Sequence, residues 1–257
     1  MQNVICGRCV KCGREYPAVP DLTNCECGGI LDIIYDYEYI KTVLTKEKLA
    51  ARRNPTMWRY RELLPVEETT PDTPLRVGWS PLYAADRLAK LLGIRKLWVK
   101  DDGINPTASL KDRASAMAVA KAQEAGAQVI ACSSTGNAAS SLAGNAAAAG
   151  LKTYIFVPSR APKGKVAQLM TFGATVISVQ GSYEETFELS KQAIDRWAGT
   201  IATQPSIPTS PRARRPWAWR SWNSLAGRCR TISPSRWETA VPFPACGRDS
   251  RTCTGQD

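Results

Sequence analysis

The sequence predicts an α/β fold: an open parallel sheet with flanking helices, preceded by a small cysteine-rich module and followed by an irregular tail. Three observations lead there. From Leu97 to Ala198 short apolar runs alternate with Ala-rich or amphipathic segments across Gly- and Pro-marked joints, the pattern of parallel strands with crossover helices. Near the N-terminus four cysteines stand as two close pairs, Cys9-x2-Cys12 and Cys25-x-Cys27. After about Ala202 no period of 2 or 3.6 continues. The expected divisions are 1–35 for the cysteine module, 36–75 for an N-terminal arm, 76–202 for the α/β region and 203–257 for the tail.

Composition narrows the chemistry. A chain of 257 residues can bury a sizeable core. It has no run of about 18 apolar residues, so no membrane span is expected, and no signal-peptide pattern stands at its start. The expected location is cytoplasmic, where thiols stay reduced. Histidine is absent, which removes histidine-dependent triads and leaves proton transfer to lysine, carboxylate, tyrosine or a cofactor. The formal charge of +11 invites a nucleic-acid reading. Its distribution weakens that reading, because residues 204–257 hold nine Arg, no Lys and only three acidic residues.

The cysteine module reads as a zinc ribbon. Cys9, Cys12, Cys25 and Cys27 offer the four thiolates of a closed tetrahedral structural zinc site. Gly13 and Gly28 permit the tight turns that aim each pair at one metal. Cys6 is an alternative ligand through Cys6-x2-Cys9, and free structural cysteines are the plain alternative. A strand is expected at 30–35 and a helical arm from about Tyr39 to Arg53, with Trp58, Tyr60, Leu63 and Leu64 packing. Gly78-Trp79-Ser80-Pro81-Leu82 reads as a turn. The segment Ala84 to Leu92 reads as a helix with Leu88, Leu91 and Leu92 as its apolar stripe, stopped by Gly93.

In the alternating region the strands are expected at 97–100, 128–132, 152–157 and 174–179, and the helices at 110–125, 138–149, 163–172 and 182–198. Asn105-Pro106-Thr107 breaks any helix, and Ser109 is placed to cap the next one. Lys111 then falls in a first helical turn, where the dipole disfavours a cation and pushes the amine towards the neutral form that attacks an aldehyde. An exposed lysine in an ordinary helix is the bland alternative. Ser133-Ser134-Thr135-Gly136-Asn137 opens a second helix, and its hydroxyls and N–H groups suit an anion; a simple capping turn is the alternative. Both segments follow strands, so both can face the crevice where open sheets bind ligands. Arg160, with Lys163 or Lys165, forms a basic turn suited to a phosphate, or simply a solvated loop. Cys132, in an apolar strand, reads as core.

The pair SLKDRA and SSTGNAAS at this spacing, with the Pro/Thr turn before the lysine and the GWSPL stretch, resembles the fold-type II pyridoxal-phosphate (PLP) enzymes, and among them looks most like the threonine synthases. The resemblance covers residues 1 to about 200, since an N-terminal zinc ribbon is a feature of many members. It implies that Lys111 carries PLP and acts as both base and acid. It also implies that Asn137 bonds the cofactor's 3′ oxygen, Ser134 and Thr135 hold the substrate carboxylate, and Arg160 pairs with a substrate phosphate. The implied reaction turns O-phospho-L-homoserine and water into L-threonine and phosphate, in a homodimer acting on a small amino-acid substrate. A sister enzyme such as a threonine dehydratase or cysteate synthase is the near rival, and a zinc-ribbon nucleic-acid-binding protein the distant one.

The tail departs from that pattern. Seven prolines, four tryptophans and nine arginines without lysine fill residues 204–257, the composition of a GC-rich gene read in a shifted frame. Residues 203–257 are therefore expected to be non-homologous and disordered. The later Gly/Asn-rich loop that cups the cofactor phosphate in the family, and the hydroxyl residue facing the pyridine nitrogen, are not visible in the sequence.

Overall fold

The computed structural model describes residues 1–17, 25–196 and 201–203. At the N-terminus β1 (Val4–Cys9), β2 (Glu15–Tyr16) and β3 (Leu31–Tyr35) form an antiparallel sheet in the order β2-β1-β3. The period-2 alternation of Leu31, Ile33 and Tyr35 turns their side chains inward. Gly13 and Gly28 adopt φ of 76° and 74°, the left-handed turns expected beside the cysteine pairs.

The single helical arm expected from Tyr39 to Arg53 resolves into α1 (Tyr37–Val43) and α2 (Lys46–Ala51). Leu44 is extended, and Thr45 starts a fresh helix by accepting from the Lys48 N–H at 3.2 Å. Asp36 caps α1 through the Tyr39 N–H at 2.8 Å. A 3-10 segment, Met57–Leu63, follows. Trp58, Tyr60, Leu63 and Leu64 are all buried, as expected of packing residues. Ile40, Leu49, Tyr60 and Leu63 join Ile33 and Tyr35 in one apolar cluster that fastens the arm to the ribbon.

Strand β5 (Trp98–Lys100) corrects the sequence reading. It pairs antiparallel with β4 (Leu82–Ala84) in a separate two-stranded sheet and takes no place in the parallel one. Three residues are too short to show a period, so the partner strand was hidden in what read as a turn running into a helix. The helix between them, α3 (Asp86–Leu91), buries only Ala89. Its leucine stripe faces outward, with Leu91 81% exposed, and Tyr83, Leu92 and Val99 extend the apolar surface.

The α/β region then runs α4 (Lys111–Glu124), β6 (Val129–Ser133), α5 (Asn137–Ala148), β7 (Lys152–Pro158), α6 (Lys163–Thr171), β8 (Thr175–Val179), α7 (Tyr183–Arg196) and β9 (Ile201–Thr203). The sheet order is β8-β7-β6-β9, parallel throughout. β6, β7 and β8 agree with the expected strands. Ile130 and Ile155 at its centre and Leu142 of α5 packed on it are fully buried, each contributing roughly 1.5–3 kcal/mol. Helix α4 lies between two cores. Ala118, Val119 and Ala122 pack against β6, α5 and β7, while Ala116, Met117 and Ala120 pack against Met57, Trp58, Leu64 and Val77 of the arm. Five alanines and one serine among its 14 residues allow both approaches. No described helix is long and apolar enough to cross a membrane. Apart from Thr203, the tail assigned to 203–257 lies outside the described residues, as does the end of the helix expected to reach 198.

Candidate active site

The turn before Lys111 is built on side-chain hydrogen bonds. Buried Asn105 accepts from the Gly78 N–H at 3.0 Å and donates to the Asp102 carbonyl at 2.9 Å. Ser80 donates to the Asp102 carboxylate at 2.7 Å, and the Lys100 amine donates to the Ser80 carbonyl. The GWSPL stretch is thereby tied to the segment leading to the lysine. The Arg59 guanidinium stacks on Trp79 at 4.6 Å. Trp79 and Ala108 both hold left-handed φ, 51° and 56°, at a cost on the order of 1–3 kcal/mol each that the surrounding bonds offset.

Lys111 is the first residue of α4 and half-buried. Its N–H donates to the Ser109 hydroxyl at 3.1 Å, so Ser109 satisfies an orphan donor as the sequence suggested. Asp112, which the sequence reading passed over, is fully buried. Its carboxylate accepts from the Thr107 N–H at 2.9 Å, the Thr107 hydroxyl at 2.8 Å and the Asn145 amide of α5 at 2.9 Å. One residue further, Arg113 reaches back to Asp102. An acid next to a lysine is visible in any sequence; that this one is buried and bonded to α5 is not.

Ser133 to Asn137 bridges the carboxyl end of β6 and the start of α5. The Gly136 N–H donates to the Ser134 hydroxyl at 3.2 Å. Asn137 accepts from the Lys165 amine at 3.5 Å, which brings the start of α6 to this loop. Tyr183, at the start of α7, donates to the Ser133 carbonyl at 3.5 Å. Arg160 is exposed in the turn between β7 and α6, and Lys163 and Lys165 are exposed in the first turn of α6. The loop, Lys165 and Tyr183 therefore meet directly, whereas the first turn of α4 reaches the same helix through Asn145, near the end of α5. Tyr183 was missed in the sequence, where a lone tyrosine after a Gly-Ser turn carries no signal.

Two features of the loop fit a bound anion or aldehyde cofactor. The Ser133 hydroxyl is buried with no hydrogen-bond partner among the described residues. The position a Cβ on Gly136 would take meets no atom within 4 Å, leaving open space at the helix start. Cys132, just before, is core: burial pushes its thiol up to about 12, which makes it a poor nucleophile.

At the ribbon, the sulfurs of Cys9, Cys12, Cys25 and Cys27 all lie within 4.8 Å of one another. Cys9 and Cys27 approach to 3.5 Å, as do Cys12 and Cys25, and the Tyr16 hydroxyl sits 3.1 Å from Cys25. Backbone N–H groups of Cys12 and Lys11 point at Cys9 Sγ, both at 3.4 Å. The bond from Cys12 is the main cause that lowers the Cys9 thiol, and the Tyr16 bond holds Cys25 down to about 6. A backbone bond at Gly29 acts to lower Cys27, but the neighbouring thiols of Cys25 and Cys9 push it up to about 12. Four sulfurs this close discharge fully only around a cation, and the set fits tetrahedral zinc. Cys6 lies in β1 outside the cluster.

A model of the family described as pyridoxal-phosphate dependent enzyme matches residues 74–224. The chain belongs to this family. The chain is also similar to curated threonine synthases. It is 44% identical over 186 residues to that of Methanocaldococcus jannaschii, covering 72% of this chain and 46% of the relative. To that of Methanosarcina acetivorans it is 42% identical over 184 residues, covering 71% and 44%. The chain spans about half the length of the curated relatives it matches. Among solved structures, the O-acetyl serine sulfhydrylase isoform 3 of Entamoeba histolytica aligns at TM-score 0.53 and 21% identity over 58% of this chain and 48% of that one. The cysteine synthase of the same organism aligns at 0.53 and 22%, over 63% and 50%. These two likenesses show that the chain shares their α/β fold.

Proposed function

We propose that this chain carries the lysine-bearing part of a threonine synthase, acting on O-phospho-L-homoserine and water to give L-threonine and phosphate. The observation that carries the reading is the 44% identity to a threonine synthase across the segment that contains Lys111 and the Ser133–Asn137 loop. In this reading Lys111 would hold the aldehyde of PLP, Asn137 would bond its ring oxygen, and the open space at Gly136 with the unsatisfied Ser133 hydroxyl would receive polar groups of the bound pair. PLP, when bound, supplies an electron sink next to the substrate nitrogen.

The chain's own side chains do the rest. Lys111, which would hold the cofactor aldehyde, would take the protons from Cα and Cβ and return them at Cγ and Cα, so a single amine would serve as base and acid in a chain without histidine. Ser134 and Thr135 hold the substrate carboxylate. Arg160, with Lys163 and Lys165 beside it, pairs with the substrate phosphate, which leaves from Cγ before water adds at Cβ. The four cysteines hold structural zinc, and the assembly is a homodimer.

The test is spectroscopic and chemical together. Protein incubated with PLP develops an absorbance band near roughly 410–430 nm, and borohydride fixes the cofactor on the Lys111 peptide; Lys111→Ala does neither. With O-phospho-L-homoserine the loaded protein releases phosphate, and ammonia release from threonine stays at background. Ammonia as the main product would replace this reading by a dehydratase.

A further inference from the structure

Resting on the reading of Lys111 as the cofactor lysine, we infer that Thr107, Asp112 and Asn145 form a buried clamp that sets the position of Lys111 along α5, with Gly144 as the notch that admits it. These are positioning residues for the reaction, and all of them act through the lysine or the loop beside it.

Asp112 directly follows Lys111 and is fully buried, and so is Asn145. The Asn145 amide donates at 2.9 Å to Asp112 and at 2.9 Å to the Ser141 carbonyl, so two acceptors fix which way it faces. Its own oxygen is buried with no hydrogen-bond partner among the described residues. A leucine of similar size would fill the space without leaving a polar atom stranded, so packing alone does not account for an amide there. One turn along, Ser141 donates to Ser115 at 2.5 Å and repeats the link between the helices.

The other arm of the clamp holds the loop. Thr107 gives both its N–H and its hydroxyl to Asp112, and its methyl lies where a Cβ on Gly144 would come within 2.9 Å. With the hydroxyl engaged, the β-branched side chain cannot turn that methyl away without losing the bond. The left-handed Ala108, one residue on, is held in the same short segment. Asn137 and Asn145 lie eight residues apart on one helix, about 12 Å along its axis. The helix therefore acts as a rigid ruler: the loop of Ser133 to Asn137 stands at one end, and the clamp fixes the start of α4 at the other. Lys111, adjacent to Asp112, inherits that spacing.

The experiment compares Gly144→Ala, the double variant Gly144→Ala/Thr107→Ser, and Ser140→Ala as a control on the same helix, all in the full chain. Two quantities are read besides thermal stability: the PLP concentration giving half-maximal borohydride labelling of the Lys111 peptide, and hydrogen exchange at the Thr107 amide in cofactor-free protein. Gly144→Ala raises the labelling concentration about tenfold and speeds Thr107 exchange, while its melting temperature stays near that of the parent. Thr107→Ser deletes the clashing methyl, keeps the hydroxyl, and brings both readings back to within about twofold of the parent. The control changes neither. A folded Gly144→Ala protein that labels and exchanges like the parent overturns the clamp, as does a loss that Thr107→Ser fails to restore. If the parent chain itself never labels at Lys111, the cofactor reading falls, and the exchange data alone still decide whether Gly144 and Thr107 set the loop.

Discussion

The Arg113 guanidinium grips the Asp102 carboxylate with both of its terminal nitrogens, from inside the first turn of the helix that Lys111 opens. Arg113 is buried and Asp102 half-buried, and Ser80 donates to the same carboxylate. The pair closes the segment 102–113 into a loop whose two ends are cross-linked, with the lysine just before its end.

Removing the acid takes a two-pronged carboxylate partner from a buried guanidinium. Asp102→Ala is expected to lower stability by about 3 kcal/mol, measured by urea denaturation. Asp102→Asn, which keeps an acceptor for Ser80 and one guanidinium nitrogen, costs less than half of that. Equal losses in the two variants would mean that the charge of Asp102 is not what matters.

Met117 sits on the face of α4 that meets the arm, fully buried. Truncation to alanine leaves a cavity between the arm and the helix and costs about 3 kcal/mol. Leu91→Ser, on the exposed face of α3, changes stability by no more than about 0.5 kcal/mol. Denaturant midpoints of the two variants check the contrast.

The arm supplies a pH-dependent contribution. Burial acts to raise the carboxyl of Glu62, but the bonds from the Arg52 guanidinium outweigh it and hold the carboxyl below its ordinary 4.5. A group lowered on folding stabilises the protein above its unfolded value, and that contribution fades as pH falls through the folded value. Glu62→Gln should therefore flatten the stability curve below about pH 4.5 and leave the basic limb unchanged. Thermal melts across an acid series measure this.

Metal analysis of the purified chain is expected to give one zinc per protein, the occupancy that a closed four-sulfur site would take. Removing it with a strong chelator should raise hydrogen exchange in β1 and β3 while the parallel sheet keeps its protection. Cys12→Ser should lower zinc affinity by at least about a hundredfold. A chain that carries no metal and shows unchanged exchange after chelation would assign the cysteines a purely apolar role.

Arg160 is exposed in the turn entering α6, close in sequence to Lys165 and its contact with Asn137. Arg160→Ala should raise KM for a phosphorylated substrate about tenfold with a smaller change in kcat. Arg160→Lys recovers part of it, since one point charge replaces a two-pronged donor.

How much of this was legible beforehand follows from what each signal encodes. Apolar runs that begin about 23 residues apart with helical spacing between them locate β6, β7 and β8, because burial on both faces demands continuous apolar residues. The same signal placed Trp98–Lys100 as a strand without naming its partner, since pairing with Leu82–Ala84 depends on a three-residue segment with no period of its own. Leu88, Leu91 and Leu92 read as a buried stripe because periodicity reports amphipathicity and not what, if anything, covers the apolar face. At the candidate site, Lys111, the Ser133–Asn137 loop and the four cysteines announce themselves by residue type and spacing. Asp112, Asn145 and Tyr183 do not, since their meaning comes from partners dozens of residues away.

Helix α4 has its own implication. With apolar walls on two sides and ten of its residues shut off from water, it can neither slide nor tilt without opening both interiors. Whatever breathing admits a reactant must come from the lighter parts around it: the hydroxyl-rich bend after β6, the basic corner ahead of α6, or the leucine-studded flap of α3. The backbone of Lys111 at its head is a fixed post, and only its side chain is left to swing.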